Sequence, residues 1–171
     1  MIVVDNKIII SGSAGFIGFH LAKNLISMGY EVIGVDSLNE AYDVRLKNFR
    51  INELKNNKNY EFHALNLSDL TSIEKLHTLN TQAQTFYHMA ARAGVRQSFV
   101  EPYSYVLDNT VATTNVANFC KLAGVSSLIL ASTSSIYGDS GENLMQENRD
   151  ERVQPPSVYA STKLSGEILA K

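Results

Sequence analysis

Two residues near the end of this 171-residue chain, Tyr159 and Lys163, stand at i and i+4. On a helix that spacing puts both side chains on one face. A phenol ordinarily titrates near about 10. A neighbouring ammonium favours the phenolate and lowers that value, so such a tyrosine can serve as a general base near neutral pH. Upstream stands a dense row of hydroxyls, Ser132-Thr133-Ser134-Ser135. A hydroxyl there could bond a substrate hydroxyl and share its proton with Tyr159. The competing reading of a lone tyrosine–lysine pair is a solvated helix face, since such pairs arise often by accident.

A second constellation binds rather than reacts. Gly12-Ser13-Ala14-Gly15-Phe16-Ile17-Gly18 lies between a strand-like run and a helix-like one. Gly12 can turn sharply, Gly15 lets a pyrophosphate approach the backbone, and Gly18 lets the helix lie close on the strand. The helix beginning at Phe16 and Ile17 then offers unpaired N–H groups and a positive dipole end to the phosphates. The spacing is GxxGxxG rather than GxGxxG, and glycine spacing alone also fits a packing role. Asp36 ends the next strand-like run, about 20 residues on, where a carboxylate accepts the hydroxyls of an adenosine ribose and repels a 2′-phosphate. Ser37 follows it, and no Arg stands alongside. This favours NAD over NADP. The alternative for Asp36 is a turn-former that caps the following segment.

The elements that must position these residues alternate in type. Unbroken or β-branched apolar runs at Lys7–Ser11, Glu31–Asp36, Tyr60–Leu67, Phe86–Ala91 and Ser127–Ser132 read as strands buried on both faces. Helical spacing covers Phe16–Met28, Tyr42–Leu54, Asp69–Leu79 and Tyr103–Leu122, and a last helix starts near Ser157 or Val158. The apolar residues of the second are Leu46, Phe49, Ile51 and Leu54. Gly29 and Gly124 mark helix ends, and Ser68 or Asp69 is the N-cap of the third helix. A polar loop runs from Asp139 to Gln154. This order predicts an α/β fold with a doubly wound parallel sheet of the Rossmann type. Functional residues should gather at the carboxyl ends of the strands, by the topological switch point.

Bulk properties exclude several classes. Apolar residues make up 44% and charged residues 19%, as in ordinary globular domains. A net charge of −2 supplies no field for nucleic acid or anionic lipid. No run approaches a membrane span, and no targeting segment is visible, which points to a cytoplasmic protein. The lone Cys120 has no partner for a disulfide and reads as a small buried residue. His20, His63 and His77 show no metal-ligand spacing, and His88 on a buried strand reads as structural.

Taken together, the glycine turn, Asp36, His88-Met89-Ala90-Ala91, Ser132-Thr133-Ser134-Ser135-Ile136-Tyr137-Gly138 and Tyr159-x-x-x-Lys163 resemble the extended short-chain dehydrogenases that modify nucleotide sugars. The resemblance spans essentially the whole chain. It implies a tightly held NAD, with Ala90, Ala91, Asn66, Leu67 and Ser132 joining the glycine turn and Asp36 around it. Asn66 stands where the family usually has Asp, keeping an acceptor oxygen but losing the charge. It further implies that Tyr159 takes the proton of the sugar 4-hydroxyl while NAD takes hydride from C4. Lys163 would lower the tyrosine pKa and hold the nicotinamide ribose, and Thr133 would bond the 4-hydroxyl. Asp36–Asp43 and Ala90–Ser98 look like segments of the family's UDP-glucuronate 4-epimerases. Dehydratases and decarboxylases of the group commonly carry an acid where Ser134 and Ser135 stand, so epimerisation is the reaction implied. Those serines could hold a sugar carboxylate, and Arg92 and Arg96 sit near the expected diphosphate or carboxylate, or on the solvated surface. Homodimers occur in the family. Members usually continue for nearly as long again past Lys171, so residues 1–171 are expected to be an NAD-binding domain lacking the substrate-binding part.

Overall fold

The computed structural model describes residues 6–79, 81–138 and 155–171. The polar loop expected at Asp139–Gln154 lies outside the described residues. Five parallel strands form one sheet in the order β3-β2-β1-β4-β5. They are β1 (Lys7–Ser11), β2 (Glu31–Asp36), β3 (Tyr60–Ala64), β4 (Thr85–His88) and β5 (Ser127–Leu130). The chain winds outward from β1 to β3, then returns to lay β4 on the other side of β1. The switch point therefore falls between β1 and β4, where a crevice opens at the carboxyl ends.

The unbroken isoleucines of β1 explain its central place, because helices cover both faces. Ile9 points into one layer with Ile33, Val35 and Phe86, under α3 (Leu70–Thr78) and α6 (Ala112–Ala123), through Ile73, Leu76, Val116 and Phe119. Ile8 and Ile10 point into the other, under α1 (Phe16–Ser27) and α2 (Val44–Leu54), through Phe19, Leu25, Ile26 and Leu54. Each such side chain contributes roughly 1.5–3 kcal/mol when fully buried.

Most expected elements are present, and their ends follow local chemistry. Asp69 is the N-cap of α3, accepting from the Thr71 amide at 3.3 Å. Ser157 caps α7 (Val158–Leu169), its Oγ accepting from the Ala160 amide at 3.1 Å. Gly29 (φ +91°) and Gly124 (φ +71°) take the left-handed conformation that ends their helices. The second helix begins at Val44 rather than Tyr42, because the Asp43 carboxylate accepts from the Arg45 amide and caps it.

Several expectations need correction. β3, β4 and β5 stop at Ala64, His88 and Leu130, short of Leu67, Ala91 and Ser132. The chain leaves the ladder there to line the crevice. α2 buries Lys47 and Leu54, while Leu46 and Phe49 are 50% and 61% exposed. A short helix, α4 (Val95–Val100), follows Gly94. The single long helix expected from Tyr103 is α5 (Pro102–Tyr105), a π-helical stretch (Val106–Val111) and α6 in succession.

Candidate active site at the sheet switch point

The glycine turn packs on itself and on β4. Gly12 has φ +69°, and a Cβ there would stand 2.8–2.9 Å from the backbone of Met89 and Ala90. A Cβ on Gly15 would come 2.9 Å from the Gly12 carbonyl oxygen, and one on Gly18 would collide with the same oxygen. Gly15, as N-cap of α1, has no side chain to satisfy the first amides, and the first turn holds no acidic residue. The Phe16 and Ile17 amides consequently find no protein acceptor among the described residues. Their side chains are 67% and 65% exposed, so these residues offer backbone rather than burial. An uncapped helix N-terminus beside the switch point suits a diphosphate.

α2 clamps this turn from the side, a feature sequence reading missed. The Ala14 carbonyl accepts from Tyr42 Oη at 3.3 Å and from Arg50 Nη1 at 3.1 Å. Arg50 also donates to Tyr42 Oη at 3.2 Å and lies over the Phe16 ring. Burial raises the Tyr42 pKa above its ordinary value, with the Arg50 charge opposing.

Asp36 both shapes a turn and faces the crevice. Its Oδ1 accepts from the Leu38 amide at 2.9 Å and from Lys47 Nζ at 3.2 Å, and its Oδ2 from the Ala14 amide at 3.3 Å. Leu38 sits at φ +55°, a strained value for leucine that this bond helps to hold. The carboxylate thus ties the ends of β1 and β2 to α2. Lys47 is eleven residues distant in sequence, and its only signal there is a cation one helical repeat before Leu54, on a buried face.

These elements border a cavity of about 200 Å³ whose lining includes Gly12, Gly15, Asp36, Asn66, Ala90 and Ala91. Leu67, Lys47 and Asp108 also line it. Asn66 differs from expectation in detail. Its Oδ1 already accepts from the amide and hydroxyl of Ser68, at 3.1 and 2.9 Å, so the side-chain NH₂ is the group left for a ligand.

A hydrogen-bonded chain fixes the crevice floor. The Ala90 amide donates to Ser11 Oγ (3.3 Å), which lies 2.6 Å from His88 Nδ1. His88 Nε2 lies 3.1 Å from Thr113 Oγ1, whose proton goes to the Asn109 carbonyl at 2.5 Å. Thr113 has thus spent its proton and must accept, so Nε2 carries the imidazole proton and Nδ1 accepts from Ser11. Burial, reinforced by the Lys163 charge, pushes the His88 pKa down to about 3. His88 is a neutral structural strut, as its position implied. Asn109 continues the frame. It accepts from the Arg92 amide (2.7 Å) and donates to the Arg92 carbonyl (3.1 Å) and to Thr162 Oγ1 (3.0 Å) on α7.

α7 presents the proposed reacting groups, outside the cavity itself. It packs on the π-helical stretch, on α4 to α6 and on the 3₁₀ turn Ser134–Tyr137. The Tyr159 ring stands edge-on to Tyr105, with centroids 6.3 Å apart. Lys163 is buried, and desolvation brings its pKa down to about 8 against an opposing pull from Glu167. It therefore keeps its charge at neutral pH. Thr133 is the N-cap of the 3₁₀ turn, with Oγ1 accepting from the Ser135 amide at 3.2 Å, and its own proton has no acceptor among the described residues. Ser132 gives its proton to Glu167 Oε1 at 2.5 Å. Ser134 and Arg96 are exposed. Arg92 is no surface residue. It pairs with Asp108 at 2.8 Å and with Glu101 at 3.7 Å.

A doubly wound parallel sheet that carries a tyrosine–lysine helix defines a class, and comparison places the chain within it. Residues 9–171 match the family model described as GDP-mannose 4,6 dehydratase, and the chain belongs to that family. It is 41% identical over 165 residues to a UDP-glucuronate 4-epimerase of Thermodesulfobacterium geofontis, covering 95% of this chain and 49% of that protein. The structure of a Bacillus cereus UDP-glucuronic acid 4-epimerase, in complex with UDP-glucuronic acid and NAD, superposes with a TM-score of 0.83 at 34% identity. That match covers 95% of this chain and 50% of the Bacillus chain. A Thermus thermophilus UDP-glucose 4-epimerase, in complex with NAD, gives 0.80 at 27% identity, over 95% and 49% of the two chains. The chain thus spans about half the length of the relatives it matches.

Proposed function

We propose that residues 1–171 form the NAD-binding half of a nucleotide-sugar 4-epimerase, with UDP-glucuronate and UDP-galacturonate as the interconverted pair. The observation that carries this reading is the uncapped N-terminus of α1 at the β1/β4 crevice, with Asp36 in the lining of the same cavity. The residues present fit a dinucleotide. The Phe16 and Ile17 amides would hold the diphosphate, Asp36 the adenosine ribose, and the Asn66 amide with Leu67 the adenine edge. Ala90 and Ala91 would lie along the cofactor between its two ends.

Bound NAD would supply the hydride acceptor and donor at the sugar C4. Tyr159 Oη would take the 4-hydroxyl proton and give it back after the sugar turns its other face. Lys163, charged below about pH 8, would stabilise the phenolate. Thr133 would donate its free proton to the sugar 4-oxygen, orienting it toward Tyr159. Ser134, Ser135 and Arg96 would meet a sugar carboxylate, with the remainder of the pocket supplied by the half of the relatives that this chain does not match. Elimination needs an acid or base beside C5 or C6, and serines occupy those positions of the row. Epimerisation needs none, and this favours it over the dehydratase reading.

The test is product analysis by NMR with UDP-glucuronate on the whole protein. We expect UDP-galacturonate, and a fall in turnover by about 10²–10⁴ in Tyr159→Phe, the usual worth of a positioned base. Turnover unaffected by that substitution would refute the assignment.

A further inference from the structure

We propose that Glu167 is a positioning residue of the site: its carboxylate ties the hydroxyl row after β5 to α7 and provides the counter-charge for the Lys163 ammonium. This rests on the reading of α7 as the helix that carries the reacting groups. Tyr159, Lys163 and Glu167 stand at i, i+4 and i+8 on α7, so they share one face. Ser132, whose hydroxyl donates to the half-buried Glu167 at 2.5 Å, lies just past the end of β5 and directly before Thr133. A hydroxyl bonded to a carboxylate at that distance is charge-assisted, roughly twice as strong as a neutral pair. One carboxylate thus spans the two segments that must hold register in the reaction, Thr133 on the strand side and Tyr159 with Lys163 on the helix.

The ammonium needs such a partner. Lys163 is buried, and a buried cation is held at a cost unless an opposite charge lies near. Burial brings its pKa down to about 8, and the Glu167 charge is the pull that opposes this. On the elements packed against α7, the other described carboxylates are Asp108 on the π-helical stretch and Glu101 at the end of α4. Arg92 engages both, at 2.8 and 3.7 Å. His88 on β4 is a neutral imidazole, and burial keeps Cys120 on α6 a neutral thiol. Arg96 on α4 and Lys121 on α6 are exposed cations. The phenols are the exposed Tyr103, Tyr105 bonded to the Ala93 carbonyl, and Tyr137 on the 3₁₀ turn. Loss of the Glu167 charge should therefore let burial strip the Lys163 proton at lower pH. Loss of the Ser132 hydroxyl should leave that charge in place and slacken the tie.

The experiment has two readouts on the whole protein, with thermal melts of every variant. The variants are Glu167→Gln, Glu167→Asp and Ser132→Ala, with Glu167→Ala in place of the glutamine variant should that one not fold. The first readout is an NMR titration of the Lys163 Cε signal without substrate, assigned by its loss in Lys163→Met. The second is the pH profile of UDP-glucuronate turnover. We expect the Lys163 midpoint to fall by about one pH unit in Glu167→Gln, and the alkaline limb of kcat to move down with it. Glu167→Asp, which keeps the charge, should bring both back toward wild type. Ser132→Ala should lower kcat by about threefold to tenfold, the worth of one hydrogen bond, with the midpoint and the limb unmoved. An unmoved midpoint in the neutral Glu167 variant would overturn the proposal, as would no recovery in Glu167→Asp or an unchanged kcat in Ser132→Ala. Failure of wild type to turn over UDP-glucuronate would overturn the functional reading and this inference together, whereas turnover with an unmoved Lys163 midpoint overturns this inference alone.

Discussion

Three buried titratable side chains give the stability of this protein a pH signature. Lys163 holds its proton less tightly when folded, with a pKa of about 8 against an ordinary 10.5, because burial penalises the ammonium. Between those values the unfolded chain binds more protons, so stability rises with pH from about 8. Cys120 acts oppositely above its ordinary 9.0, since burial pushes its thiol up to about 12 and only the unfolded chain loses that proton. The net rise should therefore be confined to roughly pH 8–9. Urea midpoints taken across pH 7–10 should show it, and Lys163→Met should flatten it. His88 governs the acid side. Its folded pKa of about 3 lies below the ordinary 6.5, so stability is intact above 6.5 and is lost as pH falls toward 3. The slope should approach about 1.4 kcal/mol per pH unit. His88→Asn should abolish that slope between pH 4 and 6.5, even though it removes core hydrogen bonds at every pH. A slope unchanged in the variant would mean that other groups control acid unfolding.

At the scale of elements, the frame around Asn109 joins the crevice to α7. Asn109→Ala would leave the Arg92 amide and carbonyl without their side-chain partner and remove the bond that Thr162 Oγ1 accepts. A loss of about 3 kcal/mol is expected, from several buried bonds broken at once. Calorimetric melting should fall by on the order of 10 °C, and a fall within a degree or two would show the frame to be dispensable. This frame was invisible in sequence, where Asn109 is one polar residue in a helical run. The strands were easy to read because an unbroken run such as Ile8-Ile9-Ile10 has no solvated face. Their ends were not, since the residue at which a strand leaves the ladder depends on its neighbours' register. The inward face of α2 was not legible either: Leu46 and Phe49 stay exposed, while Lys47 is buried in its ion pair with Asp36. Ion pairs across the fold outweigh a weak apolar period, and nothing local records them.

For the molecule as a whole, βα alternation foretold the parallel sheet, and its order puts the switch point beside the glycine turn. The residues with the strongest chemical signatures, from Gly12 to Lys163, are drawn to two neighbouring places, the cavity and α7. Ser132 and Arg92 meet partners distant in sequence, Glu167 and Asp108, that no local signal announces. The central claim is that the open N-terminus of α1 receives the diphosphate of NAD. Proline is well tolerated at the first helical position, and Gly15 before it is already extended, at φ −73° and ψ 171°, as a residue preceding proline must be. Phe16→Pro should thus preserve the helix while deleting one amide donor, and Phe16→Ala serves as control for the exposed ring. NAD titration calorimetry on wild type and both variants is the direct measurement. The account predicts comparable NAD binding by wild type and Phe16→Ala, and binding weaker by about tenfold or more in a normally melting Phe16→Pro. Equal affinity in Phe16→Pro and Phe16→Ala, or no binding by wild type, would contradict it.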